Sequence, residues 1–111
     1  MGKLQPKIEV FERRAGGVGQ IQIEHLKDAS LESIKMYAKI TVFPFSSIGL
    51  HQHIEDTETY TIISGQGIYT DENFEYPVKT GDCLFCGKNQ SHAIANPFDE
   101  DLVFFALITK N

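Results

Sequence analysis

Strand-like alternation, broken at short intervals by Gly, Pro, Asn and Asp, runs through almost the whole of this 111-residue chain. Gly19 to Leu26 reads GQIQIEHL, with Ile21 and Ile23 on one face. Ile34 to Phe43 reads IKMYAKITVF and sets Met36, Ala38, Ile40 and Val42 against Lys35, Tyr37, Lys39 and Thr41 on the opposite face. A period of two marks half-buried strands, and many short strands with turn residues between them point to an all-β sandwich or barrel. The pattern continues through Glu58 to Ser64, Gly67 to Thr70, Phe74 to Val78, Cys83 to Cys86, Ser91 to Ala95 and Leu102 to Ile108. Ser64-Gly65-Gln66-Gly67 is expected to form a tight hairpin, with further turns at Asp71-Glu72-Asn73 and Lys79-Thr80-Gly81-Asp82. Only Asp28 to Ser33 reads as a short helical turn, and Ala15 to Gly19 reads as a loop. The last strand, LVFFALI, is apolar on both faces, so it is expected between two sheets or at the contact of a homodimer.

A chain of this length buries one core, so any site must share the elements that build it. Residues 34–111 are expected to form the barrel, and residues 1–33 a strand-and-loop segment integral to it or to a dimer, in a single domain. With 10 Lys and Arg against 15 Asp and Glu, the formal charge is -5. That argues against nucleic acid or an anionic membrane as partner and moves small ligands up. Met1 to Val10 carries charges throughout, and no stretch approaches the roughly 18 to 20 apolar residues of a membrane span. Cys83 and Cys86 alone make no disulfide framework, and a cytoplasmic protein is the expectation.

Histidines stand at 25, 51, 53 and 92. His51 and His53, two apart on a strand, point to one face. A reversal through Ile54 to Thr57 brings Glu58 opposite them, and His92 opens a later strand. Three imidazole nitrogens and a carboxylate suit one divalent transition metal rather than Ca or Mg; Mn or Fe is favoured, with Zn, Ni, Co or Cu as alternatives.

These residues resemble a known family. His51-Gln52-His53, four residues, Glu58, six residues and Gly65 is similar to the first conserved motif of the cupin superfamily. Gly81, ten residues, His92, three residues and Asn96 is similar to the second, and fifteen residues separate the two motifs. The resemblance covers residues 34 to 108 and implies an antiparallel jelly-roll β-barrel with a metal inside. Single-domain cupins of the oxalate-decarboxylase-like branch, with a segment like Ser47-Ile48-Gly49-Leu50-His51, are the most similar. Phe45 stands where that family usually has Gly, and Gly87 and Asn89 stand where it usually has Pro and Gly.

Three neutral imidazoles and one carboxylate around a divalent ion leave a charge of about +1, so the natural guest is a small anionic or chelating substrate. The leading expectation is a metal-dependent enzyme acting on a small carboxylate or oxygenated metabolite, with decarboxylase, dioxygenase or isomerase chemistry. The alternative is a non-catalytic small-molecule or sugar-binding module on the same barrel. Tyr60 shares the face of Glu58 and is the candidate proton donor, although an aromatic filling the barrel reads equally well. Met36, Ala38 and Ile40 would give the site an apolar wall, and Phe85 would help close it. Arg13 and Arg14 read as surface residues, with folding over the barrel mouth as the alternative. Cys83 and Cys86 fall on opposite faces of a strand, which argues against a metal or redox pair. His25 reads as a surface or edge residue, Glu55 and Asp56 as solvated loop charges, and Asn96 as the holder of a turn.

Overall fold

The computed structural model describes residues 2–110. Ten strands account for most of them: β1 (Lys7–Glu12), β2 (Gln20–His25), β3 (Ile34–Val42), β4 (Ser46–Gln52), β5 (Asp56–Ser64), β6 (Gln66–Thr70), β7 (Glu75–Lys79), β8 (Cys83–Cys86), β9 (Ser91–Asn96) and β10 (Leu102–Lys110). Every pairing is antiparallel. A six-stranded sheet in the order β1-β2-β3-β10-β5-β8 faces a four-stranded sheet in the order β4-β9-β6-β7. From β3 onward the chain passes back and forth between the sheets, which makes the jelly-roll barrel.

The alternation read from the sequence decides what lies between the sheets. Ile21 and Ile23, Ala38, Ile40 and Val42, Tyr60 and Ile62, and Leu102, Phe104 and Ala106 enter the core from the large sheet. Ile48, Tyr69 and Ile94 meet them from the small one. The inward face of β5 reads Asp56, Glu58, Tyr60, Ile62, so the barrel interior runs from polar at one end to apolar at the other. On the four-stranded edge, β7 carries Pro77, whose missing N–H suits an unpaired edge.

Several expectations need correction. β1 was not anticipated, because charges at Lys7, Glu9 and Glu12 interrupt it and its apolar residues Ile8 and Val10 lie exposed on the outer face. Asp28 to Ser33 is not helical; one backbone hydrogen bond, Leu31 N–H to Asp28 O (3.0 Å), closes a turn there. The one helical turn among the described residues is a 3-10 turn at Arg14–Gly16. Gly65 does not close a hairpin, since β5 and β6 belong to different sheets. It makes the corner between them at φ 86°, where a Cβ would run into the Asp101 carbonyl oxygen. β10 is central in the large sheet: Leu102, Phe104 and Ala106 are buried on its inner face, whereas Val103, Phe105 and Leu107 stay partly exposed outside. No helix among the described residues is long and apolar enough to cross a membrane.

Candidate metal centre

His51, His53, Glu58 and His92 meet at the polar end of the barrel. A bulge makes this possible: β4 pairs with β9 through Ile48↔Ile94 and then His51↔His92, so three residues of β4 span two of β9. The extra residue reverses the side-chain parity, letting Ile48 and His51 both face inward while Leu50 is turned out to solvent. His53 follows on the same face, Glu58 faces them from β5, and His92 lies between them on β9. One donor atom from each residue falls within 4.8 Å of all the others. Glu58 Oε1 is 2.9 Å from His53 Nε2, 3.0 Å from His92 Nε2 and 3.9 Å from His51 Nε2, and the His53 and His92 Nε2 atoms are 3.1 Å apart. Adjacent ligands on an ion with bonds of about 2.1 Å sit about 3.0 Å apart, which matches the closest of these separations.

The outward nitrogens decide what the inward ones can do. His51 Nδ1–H donates to the Gly49 carbonyl (2.8 Å), His53 Nδ1–H donates to Asp56 Oδ1 (2.9 Å), and His92 Nδ1 lies 2.8 Å from the Tyr69 hydroxyl. A carbonyl and a carboxylate only accept, so neutral His51 and His53 carry their protons outward and turn Nε2 lone pairs toward Glu58. Electron-rich atoms this close need positive charge among them, and the group is positioned to hold a metal ion. Burial pushes the Glu58 carboxyl up, yet the nearby His51 ring and the hydrogen bonds that His53 and His92 donate when protonated at Nε2 outweigh it and hold the group well below its ordinary range. The hydrogen bond to Glu58 raises His53 above 6.5 against the opposing effect of burial, while burial lowers His92.

Above the cluster lies a cavity of about 180 Å³. Ile21, Ile23, Met36, Ile40, Ile48 and Ile108 wall it, His51, His53, Glu58 and Tyr60 line it, and Arg14 and Ala15 sit at its rim.

The sequence matches the cupin domain family over residues 39–108. The chain belongs to the cupin family. An oxalate-binding protein of Thermotoga maritima is 37% identical over 102 residues, spanning 90% of this chain and 84% of that protein. The crystal structure of a predicted oxalate decarboxylase from Thermotoga maritima superposes with a TM-score of 0.91 at 32% identity, over 96% of this chain and 95% of that one. A cupin domain from Schizosaccharomyces pombe superposes at 0.76 with 9% identity, over 93% and 69% of the two chains, a likeness of fold alone.

Other expected residues of this cupin distribute unevenly. Tyr60 is buried at the cavity floor with its ring 5.0 Å from that of His92, and burial, reinforced by the Glu58 charge, raises its hydroxyl well above 10. Met36 and Ile40 line the cavity while Ala38 lies in the core. Phe85 does not close the site: on β8 it is Leu84 and Cys86 that face inward, leaving Phe85 64% exposed. Cys83 is exposed and Cys86 buried, so they do face opposite ways, and burial pushes the Cys86 thiol up to about 11. His25 pairs with Glu9 on β1 (2.9 Å). Asn96 holds its turn, its amide nitrogen donating to the Val42 and Glu100 carbonyls and its oxygen accepting from Phe98 N–H.

Asp56 is a correction. It is 4% exposed, holds His53 and pairs with Lys35 Nζ at 2.7 Å. The alternation of β5 carried the signal, since 56, 58, 60 and 62 share a face. Tyr69, partner of His92, was missed because nothing in Gly67 to Thr70 distinguishes a buried aromatic from one that orients an imidazole. Arg14 is exposed, as its chain position suggested, and also lines the cavity.

Proposed function

We propose that this cupin is a metal-dependent receptor for small chelating carboxylates of the oxalate class. The observation that carries the reading is the convergence of three Nε2 atoms and one carboxylate oxygen beneath an apolar-walled cavity of about 180 Å³. His51, His53, Glu58 and His92 would be the ligands, with Gly49, Asp56 and Tyr69 fixing the imidazoles. A bound divalent ion would supply Lewis-acid attraction for paired carboxylate oxygens, and Mn or Fe would add redox capacity. The isoleucine walls and Met36 exclude water and limit the guest to a few heavy atoms. Tyr60, kept protonated by burial, would serve as a hydrogen-bond donor at the floor.

Binding is favoured over turnover by the lining itself. Apart from His51, His53 and Glu58, the polar side chains of its lining are Arg14 and Tyr60, whose hydroxyl burial holds well above 10, so no further carboxylate or imidazole among the described residues lines it to act as base. The metal-dependent enzyme remains the second reading; Tyr60 beside Glu58 favours it, as the candidate catalytic acid. The exposed outer face of the large sheet supports a homodimer. Tyr37, Val103, Phe105 and Leu107 form an apolar patch across β3 and β10, with the Tyr37 and Phe105 rings stacked at 6.0 Å, at the centre of a face roughly 30 Å by 20 Å.

Elemental analysis of untagged protein, followed by calorimetric titration of the metal-loaded form with oxalate, tests the proposal. Stoichiometric transition metal and saturable oxalate binding that disappears in His51→Ala/His53→Ala are expected. Metal-loaded protein that ignores oxalate refutes the receptor reading, and release of formate and carbon dioxide from oxalate transfers the conclusion to the enzyme.

A further inference from the structure

We propose that Arg14 is the specificity-determining residue of the cavity. Its guanidinium pairs with the outward oxygens of a chelating dianion and so selects dicarboxylates over monocarboxylates, which rests on the metal-dependent receptor reading above.

Arg14 is the one permanent cation among the residues lining the cavity that holds His51, His53 and Glu58. Its guanidinium carbon lies 4.4 Å from the centroid of the Phe11 ring, and it forms no salt bridge among the described residues. This cation–π contact holds the guanidinium near the Phe11 ring while leaving its N–H donors uncommitted to a carboxylate, and a guanidinium suits two carboxylate oxygens at once. A divalent ion and Glu58 together carry about +1; Arg14 raises the pocket to about +2, the charge that a dianion neutralises and a monoanion does not.

Surface exposure alone would not require the backbone that carries this residue. Arg13 and Ala15 flank it at φ 51° and φ 54°. Non-glycine residues adopt this left-handed conformation at a cost of about 1 kcal/mol or more each. The surrounding contacts hold it there. Gly17 and Gly49 bring the loop and β4 so close that a Cβ on Gly17 would meet the Ser47 carbonyl and one on Gly49 the Ala15 carbonyl. Val18 N–H donates to Ser47 Oγ (2.9 Å), and Ser47 N–H donates to the Val18 carbonyl (2.8 Å). The loop is thus clamped to the strand that carries His51, which fixes Arg14 relative to the metal ligands.

The test is calorimetry on Mn(II)-loaded wild type, Arg14→Gln and Arg14→Lys, titrated with oxalate and with glycolate, a chelating monoanion. Metal content is measured on each variant and is expected to match wild type. Arg14→Gln should weaken oxalate about 10- to 100-fold, the loss of a charge-assisted bidentate pair, while glycolate changes less than about threefold. Arg14→Lys, which keeps the charge without the fork, should fall between. Equal weakening of both ligands, or unchanged oxalate affinity in Arg14→Gln, overturns the role of Arg14 while the receptor reading stands. Failure of wild type to bind oxalate overturns both.

Discussion

Removing the Tyr69 hydroxyl tests whether the outward nitrogens hold the imidazoles for a metal. Tyr69 and His92 are each 1% exposed, and the hydroxyl is 2.8 Å from His92 Nδ1. With Nε2 engaged by an ion, the ring proton must sit on Nδ1, and Tyr69→Phe leaves that N–H buried without an acceptor. The cost is about 1–3 kcal/mol, in line with the roughly 10- to 100-fold loss typical when a metal-bound histidine loses its partner. The metal-free protein suffers less, because its ring can carry the proton on Nε2 and donate to Glu58 Oε1 at 3.0 Å. The phenyl ring also keeps its packing, with centroids 6.2 Å from Tyr60 and 5.8 Å from Tyr76. Chelator-competition titration with Mn(II) or Zn(II) should therefore show a Kd raised about 10- to 100-fold. Calorimetric melting of the metal-free form should lose no more than about 5 °C. Metal affinity within twofold of wild type, accompanied by the same loss of Tm, would show the hydroxyl to be a packing element and refute the reasoning.

Other perturbations reach different parts of the molecule. The metal-induced rise in Tm should grow from about pH 5.5 to about pH 8.5. His53, raised above 6.5 by Glu58, stabilises the metal-free form below 6.5 and loses that contribution as pH climbs through its raised pKa, while ligation needs the same ring proton-free; an increment flat across that range contradicts this. Gly49→Ala sets a methyl against the Ala15 carbonyl and should cost about 1–3 kcal/mol in denaturant melts, weakening oxalate binding with metal content unchanged; a wild-type melt would show that the clamp yields. Phe105→Lys, on the outer face of β10, should halve the mass seen by light scattering, and a dimer that persists places the contact elsewhere. Phe45 is 65% exposed at φ 59°. Glycine occupies that conformation without strain, so Phe45→Gly should raise stability by about 0.5–1 kcal/mol; a lower Tm would show that the ring packs usefully.

The convergence of His51, His53, Glu58 and His92 was legible because it depends on parity and order, which alternation encodes directly: 51 and 53 share a face, 58 lies near the start of the facing strand, and 92 near the start of another. Phe45 and Asn89 were legible as turn positions, and they stand at φ 59° and φ 65°. Glycine and asparagine are at home in that region. What escaped depends on contacts between distant segments. The Arg14 loop takes its form from Gly17 meeting Gly49, and no local preference puts Arg13 and Ala15 at positive φ. Asp56 looked solvated because it follows Glu55 in a polar run, yet it begins β5 on the inward face. The corner at Gly65 imitates a hairpin, since glycine at positive φ serves both a turn within one sheet and a crossing between two.

A small barrel with its core between two sheets cannot separate stability from function. Glu58 is 3% exposed and ionised, so it stands inside the core only because three imidazoles surround it. Breaking such a buried set by removing one partner costs about 3–5 kcal/mol. An ion that replaces those proton-mediated contacts binds the folded chain and not the unfolded one, adding about 2.7 kcal/mol at a hundred times its Kd. That is a large share of the roughly 5–15 kcal/mol that holds a domain together. Substitutions at the four ligands are therefore expected to separate into two effects: lost metal affinity in all, and lost metal-free stability chiefly where the buried Glu58 charge is stranded. Glu58→Gln, which removes that charge, should abolish tight metal binding while melting closer to the metal-free wild type than His92→Ala does. The reverse order of Tm would mean that the imidazoles depend on the carboxylate more than it depends on His92, and would refute a stranded Glu58 charge as the main cost.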